Sequence, residues 1–274
     1  MKYFKAGFIV LALLLFALSC KKTANDTTEV IENEPPVLIA RPVKITEHFP
    51  GFYLALPVKY NEGSKKYPLI IWMHGNGQAG NGTSDLPKVL YGGIPKLLDE
   101  KLFPPNFQVD GNNFSFIVLA PQYTMQPSNE EVMSLITYAS QNYLVDVSRI
   151  YLSGASLGGV VTTDVAASYC GQLAAIIPIS GVSYGNGLTE KCAAIAHSNL
   201  PVWIFQNNGD DVFDPSNARN YVSLINGFKS AVPAKYTEFL PFGDNGHDAW
   251  TKATDPDYRE NGMNIYEWML QYHR

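Results

Sequence analysis

From residue 37 onward, short unbroken apolar runs alternate with stretches in which apolar residues recur at helical spacing. The runs at 69–73 and 116–120 have no polar face, which is the mark of strands covered on both sides. Residues 52–57, 174–179, 202–205 and 236–240 read as further strands, and the apolar run from Ile150 leads into a glycine-rich turn. Between them lie helical patterns. The stretch 128–143 opens with Ser128 and Glu131 in capping-box spacing and sets Val132, Leu135, Ile136 and Ala139 on one face. Residues 160–169 read as a helix stopped by Gly171. Asp214 and Pro215 open another as N-cap and first-turn proline, with Tyr221, Val222, Ile225 and Phe228 at core spacing. The last helix is expected at 263–272. Alternation of this kind across 37–274 predicts one α/β domain with a mostly parallel sheet flanked by helices. No insertion is long enough to form a large cap.

The first residues follow a different pattern. Lys2 and Lys5 precede a run to Leu18 that is apolar apart from Gly7, and small residues then lead to Cys20. The run is short for a membrane span and has the layout of an export signal over residues 1–19. Its end resembles a bacterial lipobox, which implies a lipid anchor on Cys20 and a place on the cell envelope; plain secretion is the alternative. Residues 20–36, polar and acidic with a Pro-Pro stop, are expected to be a flexible tether. The formal charge of −5 shows no basic face, so nucleic acid is not an expected partner. Cys170 and Cys192 are left as a candidate disulfide or as two buried thiols. No Cys/His cluster has zinc spacing, and neither metal nor cofactor is expected.

The chemistry centres on Gly154-Ala155-Ser156-Leu157-Gly158. A buried strand, a Gly-x-Ser-x-Gly turn and a helix form the context of a nucleophile elbow. A serine hydroxyl needs a base, and the base needs a carboxylate to hold its tautomer. In the order Ser, acid, His, both lie after Ser156. Three histidines follow it. His197 precedes a strand and falls at the wrong edge, while His273 is next to the C-terminus. His247, in a loop after the last strand, is the expected base. The acid comes from the segment after 202–205, where Asp210, Asp211 and Asp214 compete. Asp214 already caps a helix, and Asp210 is preferred to Asp211 as the first acid beyond the strand. Asp248 is expected at the surface or fixing its loop. Backbone donors for an oxyanion are expected at Leu157 and at Asn76 or Gly77, in the loop His74-Gly75-Asn76-Gly77. That loop lacks the Lys-Ser/Thr ending of a phosphate cradle. His74 is expected to be structural. Tyr123, Tyr184 and Trp250 are candidates for a substrate cleft or for simple packing.

Several segments together carry a resemblance. The stretches 67–77 and 93–98, Ala120-Pro121-Gln122, 149–154 and Pro178-Ile179-Ser180-Gly181 resemble the esterase-like branch of the α/β-hydrolase superfamily. That branch includes feruloyl esterases, polyhydroxybutyrate-depolymerase-like hydrolases and enzymes described as "predicted peptidases". The resemblance implies an α/β-hydrolase fold over 37–274 and supports Asp210, which ends a strand-end His-Gly-x-x-Asp pattern. Here Gln206 stands for the pattern's His and Asn207 for its Gly. Gly246-His247-Asp248-Ala249-Trp250 matches the base motif, and the ending 258–270 is similar to exported proteins of Bacteroidetes-type bacteria. The expected function is a serine hydrolase cleaving carboxylic esters, with feruloyl or acetyl esters on polysaccharides as the substrate class. A serine peptidase of the same fold and a non-catalytic glycan-binding lipoprotein are the alternatives.

Overall fold

The computed structural model describes residues 31–241 and 246–274, together with Met1 and Tyr3. Cys20 and the rest of the expected signal lie outside the described residues. The strands are β1 (Val37–Arg41), β2 (Gly51–Leu56), β3 (Tyr67–Met73), a small hairpin of β4 (Phe107–Val109) and β5 (Asn112–Phe114), β6 (Ile117–Gln122), β7 (Val145–Ala155), β8 (Ala175–Ile179), β9 (Trp203–Asn207) and β10 (Lys235–Phe239). Eight of them form one sheet in the order β1-β2-β6-β3-β7-β8-β9-β10. From β6 to β10 all neighbours are parallel, and β2 is the one strand reversed against its neighbours β1 and β6.

Among the described residues seven helices flank the sheet: α1 (Gly93–Asp99), α2 (Asn129–Asn142), α3 (Leu157–Tyr169), α4 (Leu188–His197), α5 (Pro215–Gly227), α6 (Trp250–Ala253) and α7 (Ile265–Leu270). Strand side chains alternate between the two faces, and the central apolar runs therefore feed two cores. Leu69, Ile71 and Met73 of β3 pack with Val132 of α2 and Val161 of α3. Ile70 and Trp72 of the same strand pack with Ile94 of α1 and Trp268 of α7. Among the described residues no segment forms a cap over the ends of the parallel strands.

The helix signals act as expected. Ser128 accepts from the Glu131 amide at 3.2 Å, and Glu131 accepts in return from the Ser128 amide at 3.1 Å. Asp214 accepts from the Ser216 amide at 2.8 Å and caps α5. Within the stretch expected to be a tether, Glu32 is buried, and its carboxylate accepts from the Lys59 amide. Part of the expected tether, Glu32 among it, is thus held against the domain. Cys170 and Cys192 are both free thiols, so the candidate bridge is not formed.

Candidate active site

Four connections leave the carboxyl ends of the parallel strands at one edge of the sheet, and each carries one part of the site. Ser156 sits between β7 and α3 with φ 57° and ψ −123°, a left-handed conformation that costs a side-chain-bearing residue strain. Glycines make that turn possible by removing side chains from its contacts. A Cβ on Gly158 would lie 2.0 Å from the Met73 carbonyl oxygen, and one on Gly181 would lie 2.3 Å from that of Ser156. The Ser156 amide donates to the Ile179 carbonyl at 2.9 Å, tying the turn to the end of β8.

His247 follows β10, and its Nε2 stands 2.9 Å from Ser156 Oγ. Its Nδ1 lies 2.7 Å from Asp210 Oδ2, beyond β9. Asp210 is buried, and its other oxygen accepts the amides of Val212 and Phe213 at 2.8 and 3.0 Å. Asp211 is exposed, which decides between the two neighbours. Asp248 accepts from the Thr251 amide at 2.8 Å and starts α6. His197 lies at the end of α4 with its ring against Phe228, and His273 is exposed. Two side chains fasten the loop on either side of the imidazole. Asn207 Nδ2 donates to the Gly246 carbonyl at 2.7 Å, and the Ala249 amide donates to Ser180 Oγ at 3.3 Å. Ser180 is itself left-handed, with φ 51°.

The loop after β3 reaches the elbow at Gly75, where an added Cβ would lie 3.3 Å from Ser156 Cβ. Gln78 Oε1 accepts the Gly75 amide at 3.0 Å. Gln122, buried at the end of β6, donates to the carbonyls of Gln78 and Asp85 at 2.9 and 2.8 Å and so anchors the loop from beneath. Asn76 opens the short 3-10 turn Asn76–Gln78 and Leu157 opens α3, so their amides have no partner within their own helices. His74 lies fully buried below. Its Nε2 accepts the Tyr123 amide at 3.0 Å, and its Nδ1 therefore donates to the Gly75 carbonyl at 2.6 Å. Burial, opposed by that second bond, pushes its pKa down to about 4.

A cavity of about 380 Å³ opens beside Ser156 and His247. Trp72, Tyr91 and Trp250 line it, and so do Asn76 and Gly77. Trp250 thus lines the cleft, as one of its two expected roles requires. Tyr123 does not. Its ring is fully buried, stacked on His74 at 3.6 Å between centroids, with its hydroxyl donating to the His74 carbonyl. Tyr184 is exposed and meets the site indirectly, edge-on to Phe213, which in turn stacks on His247. A larger hollow, of about 620 Å³, lies between β1 and α1, and no serine or histidine lines it.

No family model matches the chain, and no curated protein does. Solved structures do. A thermostable esterase superposes with a TM-score of 0.60 at 21% identity, over 87% of this chain and 63% of its own. The S-formylglutathione hydrolase of Staphylococcus aureus gives 0.58 at 14% identity, over 87% and 97%. This chain has the α/β-hydrolase fold. A feruloyl esterase module from Clostridium thermocellum, complexed with sinapinate, gives 0.57 at 16% identity, over 78% and 88%. The chain spans less than two thirds of the thermostable esterase. Identities this low carry the likeness in fold alone.

On the α/β-hydrolase sheet, the expected Ser156, Asp210 and His247 come together in one hydrogen-bonded row; Asn76 and Gly77 line the cavity beside it, and Leu157 follows Ser156 at the start of α3. Sequence reasoning assigned no site role to Trp72, Tyr91 and Val212 in the cavity wall, and it named Gln206, Asn207 and Ser180 only as motif positions, without their contacts behind the row. The Pro178-Ile179-Ser180-Gly181 motif had already marked Ser180. For Trp72 no local signal exists, since its place in a continuous apolar run reads as core.

Proposed function

We propose that this α/β-hydrolase is a serine hydrolase of carboxylic esters that works through an acyl-enzyme. The row from Ser156 Oγ through His247 to Asp210 carries the reading, because every link is already at hydrogen-bond distance. His247 Nε2 takes the serine proton as Oγ attacks the ester carbonyl carbon. Asp210 holds the imidazole with Nδ1–H toward itself and offsets the charge of the imidazolium. The amides of Leu157 and Asn76 receive the developing oxyanion. Collapse of the tetrahedral intermediate breaks the bond to the leaving alcohol, which takes the proton from His247. Water, losing its proton to the same nitrogen, then releases the acid and restores Ser156.

The aromatic wall of Trp72, Tyr91 and Trp250 favours a flat acyl group, and feruloyl esters on plant polysaccharides are the proposed class, with acetyl esters beside them. The pattern of residues 1–20 supports a lipid anchor on Cys20 that holds the domain at the bacterial envelope. The test is intact mass after a fluorophosphonate, with peptide mapping and turnover of methyl ferulate. One adduct on Ser156, absent in Ser156→Ala together with a loss of turnover by at least about a thousandfold, is the expected result. A folded wild-type protein that takes no adduct would overturn the reading.

A further inference from the structure

A carboxylate oxygen has room for two donors. On Asp210, Oδ1 is filled by the amides of Val212 and Phe213. Oδ2 receives His247 Nδ1 at 2.7 Å and, at 2.6 Å, Nε2 of Gln206. Gln206 is buried near the end of β9, four residues ahead of the acid, and its Nε2 also donates to the Phe213 carbonyl at 3.2 Å. Its amide thus spans the tight loop that Asp210 closes and touches the one oxygen that faces the base.

We propose that Gln206 is a positioning residue of the hydrolase, sharing Asp210 Oδ2 with the imidazole and thereby setting how firmly His247 holds a proton. The proposal rests on the serine-hydrolase reading. Two effects follow from the shared oxygen. With four donors in place, the carboxylate cannot turn without breaking several hydrogen bonds, so its aim at Nδ1 is fixed. A second donor also draws charge away from the imidazolium that forms when Ser156 gives up its proton, and hydrogen bonds to a charged group are the strong ones. Without that donor the whole charge of Oδ2 falls on His247, and the imidazole keeps its proton to higher pH. Among the described residues that the ring is seen to meet, other than Asp210 and Ser156, none places a charge against it. Phe213 and Trp250 present uncharged rings, the Tyr184 phenol lies beyond Phe213, and the Asp248 carboxylate is engaged by Thr251.

The rate of fluorophosphonate labelling at Ser156, followed against pH, tests this without a known substrate. Gln206→Met keeps the volume and removes the donor. Its labelling is expected to slow about tenfold on the plateau and its acid limb to move up by about half to one pH unit. Gln206→His, which restores an N–H, is expected to bring the limb back toward wild type. Should Gln206→Met melt, Gln206→Asn carries the same expectation, since its shorter amide falls short of Oδ2. A folded variant with an unmoved acid limb would overturn the proposal and leave the hydrolase reading standing. Wild type that takes no label at any pH would overturn both.

Discussion

His74 shows how one residue ties the site to the stability of the domain. Its imidazole is neutral in the folded state until the pH nears 4, whereas in the unfolded chain it titrates near 6.5. The folded pKa is the lower one, so the unfolded state binds the proton first as pH falls. The stabilisation is complete above 6.5 and is lost progressively toward 4. A His74→Gln variant should be less stable at neutral pH by roughly 1–3 kcal/mol, having lost the stack on Tyr123 and a fitted pair of hydrogen bonds. It should then lose less further stability than wild type across that window. Urea midpoints measured through it decide the matter, and parallel slopes would mean His74 does not carry the acid sensitivity. At this scale the sequence was partly legible. Asp210 stood out as the first acid beyond its strand once Asp214 had a cap to make, and His247 stood out by chain order and its loop after the last strand. Tyr123 stayed open between cleft and packing because an aromatic residue after a strand end is the same letter whether it lines a cleft or, as here, packs beneath the loop.

The elbow is the element on which the others converge, and its glycines define how close they come. Gly154 and Gly158 both face the Met73 carbonyl, and Gly159 faces the Gly181 carbonyl, so α3, β3 and the end of β8 meet backbone to backbone. Gly158→Ala is expected to lower the melting temperature sharply and to abolish labelling of Ser156, because a Cβ there must displace main chain. Gly77→Ala, whose Cβ would meet nothing within 4 Å, should melt like wild type. Equal melting of the two variants would refute the packing argument. Elements with strong end signals were the easiest to foresee, such as α2 behind its capping box and α5 behind Asp214-Pro215. The helix α4 was not foreseen. It starts at Leu188 behind Gly187, which has φ 75° and gives no side-chain cap, so its beginning carries no mark. The hairpin β4–β5 did carry one in Asp110-Gly111, both at positive φ, but three-residue strands are too short to show alternation.

At the scale of the molecule, strand–helix alternation was enough to read a parallel sheet and the order of its working groups, since both depend only on sequence order. The sheet's lateral order was not legible, because nothing local records that β6 lies between β2 and β3. The edge where the four loops meet has no cap among the described residues, and this has a consequence for the fate of the proposed acyl-enzyme. A covered site can reserve its intermediate for water admitted on its own terms. An uncovered one leaves the choice of acceptor to the solution. Methanol or glycerol added to the assay should therefore divert acyl groups into new esters in proportion to its concentration, with the total rate of acid plus ester release limited by acylation or rising. Product ratios from methyl- or glyceryl-ester analysis would show it. A ratio fixed at pure hydrolysis would mean that something screens the intermediate after all. In the proportional case, the protein would be a transferase whenever its surroundings were poor in water.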